Sequence, residues 1–153
     1  MVAQAFVAQR VTVPRGATYM SPALTPGARV WLDKLSPRIA PLHRGDIVAV
    51  VIPGEDNFEE RTVFLRIVGL PGETIAVKDG RLVAGGAPVG ESYAHGKIPF
   101  TFLPVRIRPG EYFVLADDRA AYPSNGGQEP IFWGVVSRRS IPVIIGRVSP
   151  TGR

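Results

Sequence analysis

The chain has 153 residues, a net charge of +5 and 45% hydrophobic residues, and it contains no cysteine. This length suits one compact domain. The missing cysteine excludes a disulfide-stapled scaffold, a zinc site built on thiolates and a cysteine nucleophile. No apolar stretch approaches the ~18 residues that a membrane-spanning helix requires.

The basic residues divide into fifteen arginines and three lysines, which are Lys34, Lys78 and Lys97. Arginine stays protonated in proteins, so a mechanism that needs a neutral amine as base has three candidates. The arginines are spread along the sequence without an interleaved aromatic platform, which does not favour nucleic acid as a partner. A modest positive charge fits proximity to an anionic membrane surface.

Short runs rich in Val and Ile, each bounded by Gly or Pro, predict an all-β domain. No run keeps a helical period for three turns. A tight hairpin is predicted at Asp79-Gly80, because a type I′ turn needs positive φ at both central residues. The predicted strands, in chain order, cover residues 6–13, 29–32, 46–52, 63–68, 74–78, 81–83, 111–115 and 141–145.

We predict a single domain over residues 1–153, with a Gly- and Pro-rich excursion or small subdomain around residues 84–109. The acidic segment 53–61 is expected to be a solvated loop. Pro142 places the last predicted strand at a sheet edge or a bulge, because proline cannot donate to the ladder.

A series of motifs in fixed order resembles bacterial type I signal peptidases from about residue 6 to residue 148. The resemblance implies the long, coiled antiparallel β-sheet of their extracytoplasmic domain. The motifs are Pro22-Ala-Leu24 with Gly27, Arg44-Gly-Asp-Ile-Val48, Arg66-Ile-Val-Gly-Leu-Pro-Gly-Glu73, the Lys78–Val83 hairpin, Gly110–Arg119, Phe132-Trp-Gly-Val135 and Ile144-Ile-Gly-Arg-Val148.

Members of that family use a Ser hydroxyl as nucleophile and a neutral Lys amine as its base. Their pattern Pro-Ser-Gly-Ser-Met-x-Pro-Thr-Leu, counted back from Pro22, aligns Tyr19 with the reactive Ser and Met20 with the Met. Counting forward from residues 14–16 aligns Ala17 instead. Neither position holds a serine.

The family's base precedes Arg-[Ile/Val]-Val-Gly-Leu-Pro-Gly, and here Leu65 occupies that position without a gap. Where the family has Asp-Ser-Arg, whose Ser helps to orient the Lys, this chain has Glu129-Pro130-Ile131. The resemblance therefore predicts a protease scaffold without its proton-transfer residues. It also assigns structural support to Arg66, Asp117 and Arg119, and substrate binding to Tyr19, Met20, Ser21 and Leu65.

The chemistry could instead have moved to Ser21. If the segment is extended, Ser21 faces the same side as Tyr19, displaced by roughly 7 Å along it. One of the three lysines would then serve as base. A Ser-His arrangement is a further alternative, with His43 or His95 oriented by Asp46 or Asp117.

We therefore expect a proteolytically inactive protein that binds extended peptides or secreted precursors, or assists their assembly, at the extracytoplasmic face of the cell membrane. Family members are anchored by N-terminal helices, and no such anchor is expected within this chain. No cofactor and no metal are expected. The alternatives are an active serine endopeptidase that removes signal peptides through Ser21 and a lysine, and a β interaction domain without a peptide cleft.

Overall fold

A computed structural model describes residues 8–54, 59–122, 132–139 and 142–150. The triplet Glu129-Pro130-Ile131 and the middle of the acidic segment 53–61 lie outside these ranges. Glu59 and Glu60, at the end of that segment, are exposed. No helix in the described ranges is long and apolar enough to cross a membrane.

Strands make up nearly all of the regular secondary structure in the described ranges, which confirms the all-β prediction. Its one α-helix, α1, is the four-residue turn Ser36–Ile39, and 3-10 helices span Thr18–Met20 and Arg119–Ala121. The strands are β1 (Ala8–Thr12), β2 (Arg29–Asp33), β3 (Ile47–Ile52), β4 (Arg61–Gly69), β5 (Thr74–Lys78), β6 (Arg81–Ala84), β7 (Ala87–Pro88), β8 (Val105–Arg106), β9 (Glu111–Leu115), β10 (Gly134–Ser137) and β11 (Val143–Pro150).

Seven strands form one sheet in the order β1-β2-β11-β10-β9-β4-β3. Strand β11 also pairs with β3, so β3, β4, β9, β10 and β11 close into a barrel from which β2 and β1 extend. Every pairing in this sheet is antiparallel except the short parallel pairing of β10 with β11. The remaining strands form a second antiparallel sheet in the order β7-β6-β5-β8.

The predicted hairpin is present, with Lys78 paired to Arg81. Asp79 and Gly80 have φ of 52° and 75°, which are the positive values that a type I′ turn requires. Part of the Gly- and Pro-rich excursion supplies β7 and β8 to the second sheet. The single-domain organisation stays a prediction.

Two features of the strands differ from the sequence-based expectation. Strands β7, β8 and β10 were not predicted, because two to four residues carry too little periodicity to be detected. The strand after Pro142 does not lie at an edge, since β11 pairs with β2, β3 and β10. Pro142 immediately precedes β11 and leaves its ladder intact, while the register shift lies between Ile144 and Gly146.

The hydrophobic core explains why β4 is apolar from Val63 to Gly69 except at Arg66. From Phe64 to Gly69 every residue of β4 is buried, because the strand lies inside the closed barrel wall. Gly69 is required by this packing: a Cβ there would lie 2.6 Å from Ile107 Cδ1 and 2.8 Å from Phe113 Cβ. Burial on both faces of β4 thereby holds Leu65 and its neighbours on the strand in defined positions.

Candidate functional site

Tyr19 lies on the Thr18–Met20 3-10 helix and is half-buried against the core. Its carbonyl accepts a hydrogen bond from the backbone N–H of Asp118 at 3.0 Å. Burial raises the pKa of its phenol, and this rise outweighs the lowering by the backbone of Phe64 and the charge of Arg61. The hydroxyl of Tyr19 therefore meets the backbone of β4 and stays protonated at neutral pH.

Leu65 is the residue that follows Phe64 on β4, and none of its surface is exposed. It pairs with Val48 of β3. The structure thus brings Tyr19 to the strand that carries Leu65. Ala17, the other position aligned with the nucleophile, is buried, and its N–H donates to the carbonyl of Pro14 at 3.0 Å.

The expectation that Ser21 shares a face with Tyr19 is wrong, because the segment is not extended. Residues 18–20 form a 3-10 helix, so the alternation of an extended segment does not apply. The hydroxyl of Ser21 donates to the carbonyl of Leu24 at 3.4 Å, within its own turn. Met20 beside it is completely buried.

None of the three lysines contacts Ser21 in the described part of the chain. Lys78 and Lys97 are exposed, and Lys97 packs beside Gly80 in the hairpin turn of the second sheet. Lys34 follows β2 and is partly buried. The structure therefore provides no amine beside the Ser21 hydroxyl.

Each of the two histidines lies near a carboxylate, and no hydrogen bond between either imidazole and a serine is seen in the described ranges. Nδ1 of His43 lies 3.8 Å from Asp46, and its imidazole is largely exposed. Nε2 of His95 lies 3.9 Å from Asp118, rather than near the carboxylate of Asp117 as in one of our alternatives. Asp117 cannot orient His95, because both of its carboxylate oxygens face Arg66.

Arg66 and Asp117 form a buried bidentate ion pair beside Leu65. Nε of Arg66 donates to Oδ1 of Asp117 at 2.9 Å, and Nη2 donates to Oδ2. The third donor, Nη1, reaches the carbonyl of Gly45 at 2.8 Å. The guanidinium also stacks over the ring of Tyr93 at 4.5 Å. Both charges are thereby compensated, as buried ions require.

Arg119 makes a second buried ion pair two residues further on. Its Nε donates to the carbonyl of Ala116 at 2.8 Å, and its Nη atoms reach the carboxylate of Glu91 at 3.1 and 2.5 Å. The backbone also contributes: His95 exchanges hydrogen bonds with Asp117 and Arg119. The excursion around residues 84–109 is in this way held against the Asp117 loop.

Three members of this region have no local signal in the sequence. Glu91 is 28 residues from its partner Arg119, and only folding brings the two together. Tyr122 accepts from the N–H of Ala116 at 2.7 Å, and burial raises its pKa. Burial and the charge of Glu91 likewise raise the pKa of Tyr93.

The chemical capacity of the region follows from these groups. A neutral phenol and a hydrocarbon side chain occupy the two aligned positions, and neither accepts a proton at neutral pH. The surrounding arginines are fixed cations that cannot act as bases. Among the described residues, no group of three or more His, Asp or Glu could hold a metal ion.

The sequence model of the family described as "Signal peptidase, peptidase S26" matches residues 1–150. The chain belongs to this family. The family match agrees with the resemblance to signal peptidases that the motif series between Pro22 and Val148 indicates.

The chain is 33% identical over 147 residues to a signal peptidase I of Leptolyngbya laminosa, covering 93% of this chain and 67% of the relative. It is 30% identical over 140 residues to a probable signal peptidase I-2 of Synechocystis, covering 89% of this chain and 60% of that relative. A crystal structure of a signal peptidase I from Enterococcus faecalis V583 superposes with a TM-score of 0.48 and 25% identity, covering 72% of this chain and 99% of that one. This signal peptidase-family chain thus spans about two thirds of its relatives' length.

Proposed function

We propose that this signal peptidase-family protein binds extended segments of secreted precursors without cleaving them. The observation that carries the proposal is the pair of side chains at the aligned positions, Tyr19 and Leu65. Peptide hydrolysis by a Ser/Lys pair needs a hydroxyl nucleophile within reach of a neutral amine. Here a raised-pKa phenol lies against β4, and the neighbouring Leu65 is fully buried hydrocarbon.

The frame around those positions supports retention of a binding role. The Arg66–Asp117 pair and the hydrogen bond from Asp118 to Tyr19 hold the 3-10 helix, β4 and the Asp117 loop together. Tyr19 is thereby held in a fixed, half-buried position, and such preorganisation lowers the cost of binding. Tyr19 itself offers an aromatic face of the kind that contributes strongly at peptide interfaces.

The exposed surface of β1 and β2 supports a place at the extracytoplasmic face of a membrane. Trp31 on β2 is 43% exposed, and the guanidinium of Arg10 on β1 lies 5.3 Å above its ring. An exposed tryptophan beside a cation suits the interface between anionic headgroups and acyl chains. We assign the membrane surface, rather than nucleic acid, as the second partner of this protein.

The experiment combines binding and cleavage on one sample. A fluorescent peptide with an Ala-x-Ala signal-peptide end is titrated with the purified protein by anisotropy, and products are sought by mass spectrometry after prolonged incubation. We expect saturable binding without product. Tyr19→Ala should change the affinity, whereas Leu103→Ala, at a residue that is 86% exposed, should not.

Two results would contradict the proposal. Product that disappears in Ser21→Ala would establish the alternative endopeptidase with a relocated nucleophile. Absence of binding by a folded protein would leave a β interaction domain without a peptide cleft. Catalysis restored in the double variant Tyr19→Ser with Leu65→Lys would independently support the alignment of these two positions.

A further inference from the structure

Two adjacent grooves lie on either side of Pro109, which lines both of them. The first, of about 530 Å³, runs between α1 and the Pro109–Glu111 turn and includes the end of β10. The second, of about 610 Å³, runs between Pro71-Gly72 and residues 106–109. We refer to the two together as the Pro109 grooves.

Five arginines line the Pro109 grooves. Arg38, Arg138 and Arg139 lie in the first groove, and Arg106 and Arg108 lie in the second. All but the half-buried Arg138 are exposed. In the described ranges none of these five guanidiniums pairs with a carboxylate, whereas Arg44, Arg66, Arg119 and Arg147 each do.

The one acid in this lining offsets at most one of these five charges. Glu111 accepts a hydrogen bond from the backbone N–H of Arg108 at 3.2 Å, so its carboxylate closes its own turn. The grooves therefore concentrate positive charge for which the described residues supply no carboxylate ion pair. Guanidinium groups bind carboxylates through paired hydrogen bonds and make such a surface suited to anions.

The shape of the surface selects among anionic partners. A bilayer contacts a broad, nearly flat face, whereas these arginines are distributed along the walls of two grooves. Binding of single-stranded nucleic acid relies on exposed aromatic rings, but Tyr112 in this lining is only 8% exposed, and its hydroxyl accepts from the N–H of Leu42. Concave walls of this size, with Ile39 exposed on one side, suit an extended peptide.

We propose that the Pro109 grooves bind an extended acidic peptide segment of a partner protein. This site is separate from the region around Tyr19, because Glu111 and Asp117 are six residues apart along β9 and its extension. At about 3.3 Å per residue this separation is roughly 20 Å. Binding at the two places is therefore expected to be independent.

The test uses a fluorescein-labelled hexa-Glu peptide, with hexa-Gln as the uncharged probe. The full chain should bind hexa-Glu in a saturable, salt-sensitive way and should not bind hexa-Gln. The variant R38Q/R138Q/R139Q should bind about tenfold more weakly. The control variant K78Q/R81Q/K97Q removes the same charge from exposed positions of the second sheet and should bind as the parent does.

Equal losses in the two variants would overturn the proposal, since they would show a response to net charge alone. It would also be overturned if vesicles rich in anionic phospholipid, or oligo-dT, bound through the same three arginines and hexa-Glu did not. Titration of the Ala-x-Ala peptide separates this site from the proposed function. The groove variant should leave that affinity unchanged.

Discussion

Two neighbouring regions of this protein differ in how they compare with the family pattern. On the alignment that we propose, Tyr19 and Leu65 stand where the family has a hydroxyl nucleophile and an amine base. One residue further along β4, Arg66 keeps a bidentate pair with Asp117, which is fully buried. On that alignment the reacting groups differ from those of the family, while a buried charged pair lies beside them.

This difference indicates which side chains can be replaced without loss of stability. An amine needed only for chemistry can be replaced by leucine, because a hydrocarbon has no desolvation cost at a buried position. Loss of one member of a buried ion pair leaves its partner charged and unpaired, which is strongly destabilising. We therefore expect the frame to resist substitution more strongly than the aligned positions do.

The largest expected effect is at Asp117. Asp117→Ala should lower the free energy of unfolding by about 3–5 kcal/mol, because Arg66 would remain buried without its counter-charge. Urea denaturation followed by tryptophan fluorescence measures the loss. The control is Asp33→Asn, which keeps an oxygen for the N–H groups of Leu35 and Ser36 and removes only the charge of a partly exposed pair with Arg147 at 3.6 Å, and it should cost less than about 1 kcal/mol. Similar losses in both variants would show that the buried Arg66–Asp117 pair contributes no more to stability than the partly exposed pair does.

Leu65 should behave as a core residue. Leu65→Ala leaves a cavity in the fully buried barrel wall and should cost about 2–5 kcal/mol. The volume-conserving control Leu65→Met should cost less than about 1.5 kcal/mol. Both values come from chemical denaturation. A negligible cost for Leu65→Ala would mean that this position is open to solvent and available to a ligand.

Tyr19 should contribute through its hydroxyl, by a smaller amount. Tyr19→Phe removes the contact with the backbone of Phe64 and should cost about 1 kcal/mol at neutral pH. Burial raises the pKa of Tyr19 and so favours the neutral phenol in the folded state; the stability of Tyr19 relative to Phe is therefore present below about pH 10 and is lost as the pH rises through the folded-state pKa. Denaturation at pH 8 and pH 11 should show the difference between variant and parent narrowing; an unchanged difference contradicts the assignment.

The smallest effect is expected at the exposed end of β2. Burial alone would raise the pKa of Asp33, but hydrogen bonds from Ser36 and Leu35 together with the charge of Arg147 lower it. A lowered folded-state pKa adds stability above about pH 4 that is lost as the pH falls through the folded value. Asp33→Asn should therefore flatten the acid limb of a stability profile between pH 6 and 3. An unchanged limb would show that the pair is not formed in solution.

The sequence was most informative where its signal was local. The hairpin at Asp79-Gly80 follows from the φ that one turn requires, and the run at β4 follows from burial of a whole strand. The interpretation of Ser21 as facing the same side as Tyr19 was wrong, because it assumed an extended segment where a 3-10 helix forms. A segment of three or four residues is too short for the periodicity of its apolar residues to distinguish an extended strand from a 3-10 helix.

The sequence by itself determined the fold class and the family, because both rest on residue identity and local order. Only the tertiary structure decided which charges meet. Glu91 pairs with Arg119 across 28 positions, and five arginines spread from Arg38 to Arg139 line the Pro109 grooves. Closure of the barrel brings distant segments together, and no local pattern in the sequence records those contacts.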